Sequence, residues 1–113
     1  MSKKYKMMLF TKPVEGRENE YHDWYQNTHL KDVVNVKSVK SAQRFRLSMN
    51  IVPGSADPPQ FLAIYDIETD DIGRVLKDMA ELAKNGGMDV PDTMAKDGII
   101  GAVYEEYGEI VKR

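Results

Sequence analysis

Two stretches of this chain are apolar at consecutive positions where most strands alternate: Met7-Met8-Leu9-Phe10 and Phe61-Leu62-Ala63-Ile64-Tyr65, the second running on through Asp66 to Ile67. Successive side chains of a strand point to opposite faces, so runs of this kind predict central strands of a sheet that is covered on both sides. Few folds of this size offer that.

The segments around them set the order of elements. Lys4 to Thr11 has the length of a strand and is broken by Lys12-Pro13-Val14-Glu15-Gly16. From about Arg17 to His29 the spacing turns helical. At about 100° per residue Tyr21, Trp24, Tyr25, Thr28 and Asp32 fall on one stripe with His29 on its flank. Glu15, Glu18 and Glu20 sit in or near the first turn, where the helix dipole favours them. Asp32 to Val36 continues as a second short helical turn.

Ser38 to Met49 reads as a strand with Val39, Ser41, Gln43, Phe45, Leu47 and Met49 on one face and Lys40, Ala42, Arg44, Arg46 and Ser48 on the other. Asn50 to Gln60, with Pro53-Gly54 and Pro58-Pro59, is a loop by composition. Thr69 or Asp70 can cap a helix carrying Ile72, Val75, Leu76, Met79, Leu82 and Ala83, which Gly86-Gly87 ends. Met88 to Gly98 is a mixed, flap-like segment. Ile99 to Val111 is the last strand, with Tyr107 on the face of Gly101, Val103 and Glu105.

The order β-α-β-β-α-β is that of the ferredoxin-like α+β fold: a four-stranded antiparallel sheet with its two main helices on one face. Two helices leave the other face bare. The doubly apolar strands require that face to be buried as well, and a homodimer packing sheet on sheet does so. At 113 residues one domain, 1–113, is the expectation.

Composition removes several function classes. The chain has no cysteine, which excludes disulfides, thiolate nucleophiles and zinc or iron–sulfur sites built on thiolates. A net charge of −2 with interspersed signs gives no footprint for nucleic acid, and Arg44 and Arg46 alone are too few to make one. No apolar run approaches the roughly 20 residues of a membrane helix. The run Met7 to Phe10 is too short for a signal-peptide core, so a cytoplasmic location is expected. Neither a phosphate-binding glycine loop nor a dinucleotide fingerprint occurs.

The chemistry concentrates in Tyr21 to Asp32, which holds both histidines and the one tryptophan. Trp24-Tyr25 with His29 four positions on, then Asp32, the strand Ser41-Ala42-Gln43-Arg44-Phe45 and the βαββαβ order resemble the EthD-like members of the dimeric α+β barrel superfamily. The resemblance spans most of the chain. It implies a homodimer whose two sheets form a barrel, with a small-molecule pocket between sheet and helices in each subunit. Related barrels include polyketide cyclases, muconolactone isomerases, cofactor-free monooxygenases, hydroxynitrile lyases and haem-degrading enzymes. Family members often carry Pro-Gly before the second strand, where this chain has Val36-Lys37-Ser38, so the pocket rim differs.

Each candidate residue has a structural alternative. The i, i+3 spacing of His29 and Asp32 lets the carboxylate hold one imidazole nitrogen and leave the other to exchange protons; alternatively His29 closes the helix end. With the resemblance, the pocket role is preferred. Tyr25 is either a hydroxyl donor to substrate or a core ring, and Trp24 is either an apolar pocket wall or, on the simpler reading, core packing. Arg44 lies mid-strand and needs a partner: Glu106 or Asp66 in an internal ion pair, a carboxylate of a second subunit, or an anionic ligand. The internal pair is preferred. Tyr65 and Tyr107 can add hydroxyls to the substrate site. His22, seven residues from His29 and about 10 Å along the helix, is read as surface and cannot share a metal ion with it.

The expectation is therefore a cofactor-independent enzyme of isomerase, cyclase or lyase type, acting by proton transfer on a small aromatic or polyketide-like molecule. His29 serves as acid or base, Asp32 orients it, and Tyr25 donates to the developing oxyanion. A non-catalytic dimeric ligand-binding protein and a cofactor-free monooxygenase are the alternatives. No metal or other cofactor is expected.

Overall fold

The computed structural model describes residues 2–88 and 91–113. Strand β1 spans Lys3–Thr11, helix α1 Glu18–Trp24, a π-helical turn Tyr25–His29, helix α2 Leu30–Val34, β2 Val39–Arg46, β3 Phe61–Thr69, helix α3 Ile72–Lys84 and β4 Ile100–Glu105. The four strands form one antiparallel sheet in the order β2-β3-β1-β4. This is the ferredoxin-like α+β arrangement expected from the apolar pattern, with the two doubly apolar strands side by side in the middle. No helix among the described residues is long and apolar enough to cross a membrane.

The register sorts the side chains. Met7 opposes Tyr65, Leu9 opposes Ala63 and Thr11 opposes Phe61; with Ile67 these face the helices and bury against Tyr21, Tyr25, Leu30, Val33 and Val75. The second face carries Met8, Phe10, Leu62 and Ile64, half-buried, flanked by Phe45, Ile100 and Tyr104, which are 43%, 52% and 61% exposed. Its polar corner is Asp66, ion-paired to Lys6 at 2.5 Å and accepting from Ser41 at 3.2 Å.

Two local irregularities correct the expected periodicity. A β-bulge between Val39 and Ser41 resets β2, so Val39 is buried on the helix side with Ala42 and Arg44, while Ser41 pairs opposite Asp66. Simple alternation had put Val39 with Ser41, and an extra residue is what alternation cannot see. In the first helix the Leu30 amide reaches five residues back to the Tyr25 carbonyl. This π turn inserts a residue into the helical phase, which rotates Thr28 off the Tyr25 stripe to an exposed position, while His29, four residues after Tyr25, lies on the buried side as expected.

Helix α3 is capped by Asp71, whose side chain accepts from the Arg74 amide at 3.1 Å, while Thr69 accepts from the Asp71 amide. Its C-terminus closes with the Gly87 amide on the Leu82 carbonyl at 2.8 Å and Gly86 at φ 81°. Leu76 and Ala83 face out, leaving Ile72, Val75, Met79 and Leu82 inward.

Of the flap-like segment, Asp89 and Val90 lie outside the described residues. Thr93 to Ala95 runs beside Lys12 to Val14, with Val14 N–H donating to Thr93 O at 2.7 Å and Ala95 N–H to Lys12 O at 2.9 Å. Arg17 anchors it through Asp92 at 2.8 Å. The chain leaves the sheet after Glu105, six residues earlier than Val111.

Candidate functional site

Tyr25 and His29 come from the π turn and project inward, and Tyr65 rises from the middle of β3 to meet them. The Tyr25 and His29 rings meet edge-to-face at 5.1 Å, and Trp24 stacks on the imidazole at 4.7 Å and 26°. Tyr21 completes the layer, edge-on to Tyr25 at 5.5 Å, with its hydroxyl in a hydrogen bond to Thr11 Oγ1.

His29 Nδ1 is buried without a hydrogen-bond partner, and the buried Tyr25 and Tyr65 hydroxyls are close enough to act on each other without forming a well-aligned hydrogen bond. Among the described residues only the Thr93 hydroxyl shares that condition. Leaving such an atom without a full partner costs about 1–3 kcal/mol, so this layer keeps hydrogen-bonding capacity that the protein itself does not use. Burial raises the pKa of Tyr25, and of Tyr65 well beyond the usual range, so both are neutral O–H donors near pH 7. Burial lowers the pKa of His29, opposed by the charge of Asp32, which leaves a neutral imidazole.

Asp32 is half-buried and makes no hydrogen bond to His29. Helical side chains lean toward the N-terminus, so the imidazole lies back against Trp24 and Tyr25, away from Asp32. The expected orienting bond is replaced by stacking.

Arg44 corrects a second expectation. It forms no ion pair with Glu106 or Asp66: Asp66 is on the opposite face with Lys6, and Glu106 accepts from the Lys4 amide. Its guanidinium lies 4.6 Å from the Tyr25 ring centre, 5.5 Å from Tyr21 and 5.8 Å from Phe61, and its Nη2 donates to His22 Nδ1 at 3.0 Å. His22 is thus half-buried, its ring edge-on to Phe61 at 4.7 Å, where the sequence suggested plain surface. Burial, then the charge of Arg44, lowers its pKa, in keeping with a ring nitrogen that accepts from arginine.

Two open clefts share Gln60, and the first of them adjoins this layer. One of about 410 Å³ is lined by His22, Arg44, Phe45, Arg46, Gln60 and Phe61. A second, of about 590 Å³, lies over Lys12, Glu15, Glu18, Gln60, Lys96 and Asp97 and carries both signs of charge, with Lys12 and Asp97 paired at 3.0 Å. His29, 9% exposed, lines neither. Arg44 is the link, because it lines the first cleft and covers Tyr25.

Of the residues singled out by sequence, Trp24, Tyr25, His29, Tyr65 and Arg44 are brought together, with Asp32 one turn away. Tyr107 is not: it is fully exposed past the end of β4. Sequence reasoning missed His22, Arg46, Gln60 and Phe61. The signal for Arg46 was present, since it shares a strand face with Arg44; His22 and Phe61 are joined to them only by the tertiary fold.

Neither a protein-family model nor a curated protein sequence matches the chain. Solved structures do. One, from Shewanella loihica PV-4 and provisionally called a monooxygenase, aligns over 100% of this chain and 99% of its own, with a TM-score of 0.55 and 14% identity. Another, an EthD-family protein from Bacillus halodurans C-125, aligns over 93% of this chain and 99% of its own, with a TM-score of 0.54 and 12% identity. The chain shares their fold. That agrees with the EthD-like resemblance read from Trp24-Tyr25, His29 and the βαββαβ order, and at these identities the likeness is one of architecture.

Proposed function

We propose that the protein is a small-molecule enzyme of isomerase, cyclase or lyase type, working by proton transfer without a cofactor on an aromatic or polyketide-like substrate. The observation that carries this reading is that, in the layer where Arg44 covers Tyr25, the Tyr25 and Tyr65 hydroxyls and His29 Nδ1 are all buried without a well-formed hydrogen bond. Neutral His29 takes a proton from an acidic C–H or O–H of the substrate and becomes imidazolium. The negative charge passes to a substrate oxygen, held by the two tyrosine hydroxyls with the Arg44 charge nearby. Return of the proton at another atom, or departure of a leaving group, completes turnover. Asp32 stabilises the imidazolium through its charge.

In this reading the active form is a homodimer joined through the apolar second face of the sheet, with Ile64 and Leu62 near its centre. The support is physical: Met8, Phe10, Leu62, Ile64 and Ile100 form one contiguous apolar face that no helix covers, and such faces mark interaction sites.

A second reading, a dimeric carrier that binds without turnover, is favoured by one observation, that His29 lines neither cleft. A third keeps the same deprotonation but lets the electron-rich anion react with dioxygen; the Shewanella protein of the same fold is provisionally described as a monooxygenase. Incubating purified protein with a panel of small phenols and cyclic 1,3-diketones, in air and under argon, separates them. Oxygen-independent depletion that His29→Gln abolishes supports proton-transfer catalysis. Depletion only in air supports the monooxygenase, and binding without depletion leaves the carrier.

A further inference from the structure

The cleft beside the buried cluster has chemistry of its own. Arg44 and Arg46 are two apart on the same face of β2, an edge strand of the sheet. Neither has a carboxylate partner among the described residues, whereas Arg17 and Arg74 both do. Arg44 spends a donor on His22 Nδ1, which leaves the proton of neutral His22 on Nε2 and makes that nitrogen a donor as well. Phe61 supplies a ring wall in contact with both His22 and Arg44, and Gln60 an amide at the edge. Two guanidinium forks, an imidazole N–H and an apolar wall lie around a space of about 410 Å³, and no carboxylate lines it. Glu18, the acidic group whose field reaches His22, lines the neighbouring cleft.

We propose that this cleft binds the carboxylate of a small aromatic acid, the carboxylate bridging Arg44 and Arg46 and the ring lying against Phe61. A planar carboxylate matches the guanidinium fork, and the aromatic layer below Arg44 holds that fork in place. The inference rests on the proton-transfer reading only in making Arg44 the point where the anchored acid approaches Tyr25; binding in the cleft stands independently of turnover.

Calorimetric titration of the protein with benzoate, benzamide and inorganic phosphate tests this. Benzoate is expected to bind at least about tenfold more tightly than its uncharged isostere benzamide, and more tightly than phosphate, with affinity falling as salt rises. Arg46→Gln, an exposed and unpaired position, is expected to weaken benzoate about tenfold with little effect on benzamide. Arg44→Lys keeps the charge and loses the fork, with a loss of similar size. Equal affinity for benzoate and benzamide, tighter binding of phosphate, or an Arg46→Gln variant that binds benzoate normally would each overturn the proposal. His29→Gln keeps the two readings apart: benzoate binding retained with unchanged depletion of phenols removes the catalytic reading and keeps the cleft. Depletion lost in His29→Gln, with no benzoate binding in the parent protein, does the reverse.

Discussion

At the scale of single residues, Tyr65 offers the cleanest separation of stability from function. Its hydroxyl is buried and acts on the Tyr25 hydroxyl without a well-aligned hydrogen bond, so Tyr65→Phe removes a polar atom that contributes little to the fold. The variant is expected to match or exceed the parent by up to about 1 kcal/mol in urea denaturation, and to lose about a hundredfold in turnover as one donor to the oxyanion disappears. Loss of stability would instead mean that the hydroxyl is bonded in the folded protein. His29 gives a pH test. Burial holds its pKa below 6.5, so the folded state binds fewer protons than the unfolded state as the pH falls below that value. Stability should therefore rise with pH through that window and decline on acidification. His29→Gln should flatten part of the slope in urea midpoints taken between about pH 5 and 7.5. His22, shifted in the same direction, retains the remainder.

At the scale of elements, the π turn turns Thr28 outward while His29 stays beside Tyr25. Deleting Gln26 makes Tyr25 and His29 i, i+3, still neighbours on one helix face, so the helical circular dichroism is expected to be kept and His29 to remain in the buried layer. The measurement is the imidazole pKa by NMR, expected to stay below the ordinary value of about 6.5; a return to that value would show that the wide turn itself holds the ring in place. The Asp71 cap is an ordinary structural device, and Asp71→Ala should cost about 1 kcal/mol with no change in ligand binding. These elements also show what was legible in the sequence. Apolar runs at Met7 to Phe10 and Phe61 to Ile67 announced the central strands, because doubly covered strands need apolar residues at every position. The bulge after Val39 and the π turn after Trp24 were hidden, since each adds one residue to a period without changing composition. Trp24, Tyr25, His29, Tyr65 and Arg44 could be singled out, but their assembly, and the entry of His22 and Phe61, depends on strand register. Tyr107 was misplaced because alternation continues past the point where pairing stops.

At the scale of the whole molecule, one sheet face is covered by helices and the other presents an apolar surface of the kind that pairs with a second copy. Light scattering is expected to give twice the chain mass of 12.9 kDa, and Ile64→Glu, at the centre of that face, to give one. A parent protein that scatters as one chain would remove the dimer and with it the closed barrel. The claim on which the rest depends is that the buried cluster moves protons. It is tested most directly by incubating the protein with cyclic 1,3-diketones and phenols in deuterium oxide and following exchange of their acidic C–H positions by NMR. Exchange of at least one compound faster than in buffer alone, lost in His29→Gln and reduced in Tyr25→Phe, is the expected result. Exchange at the same rate with the parent protein and with His29→Gln would contradict it.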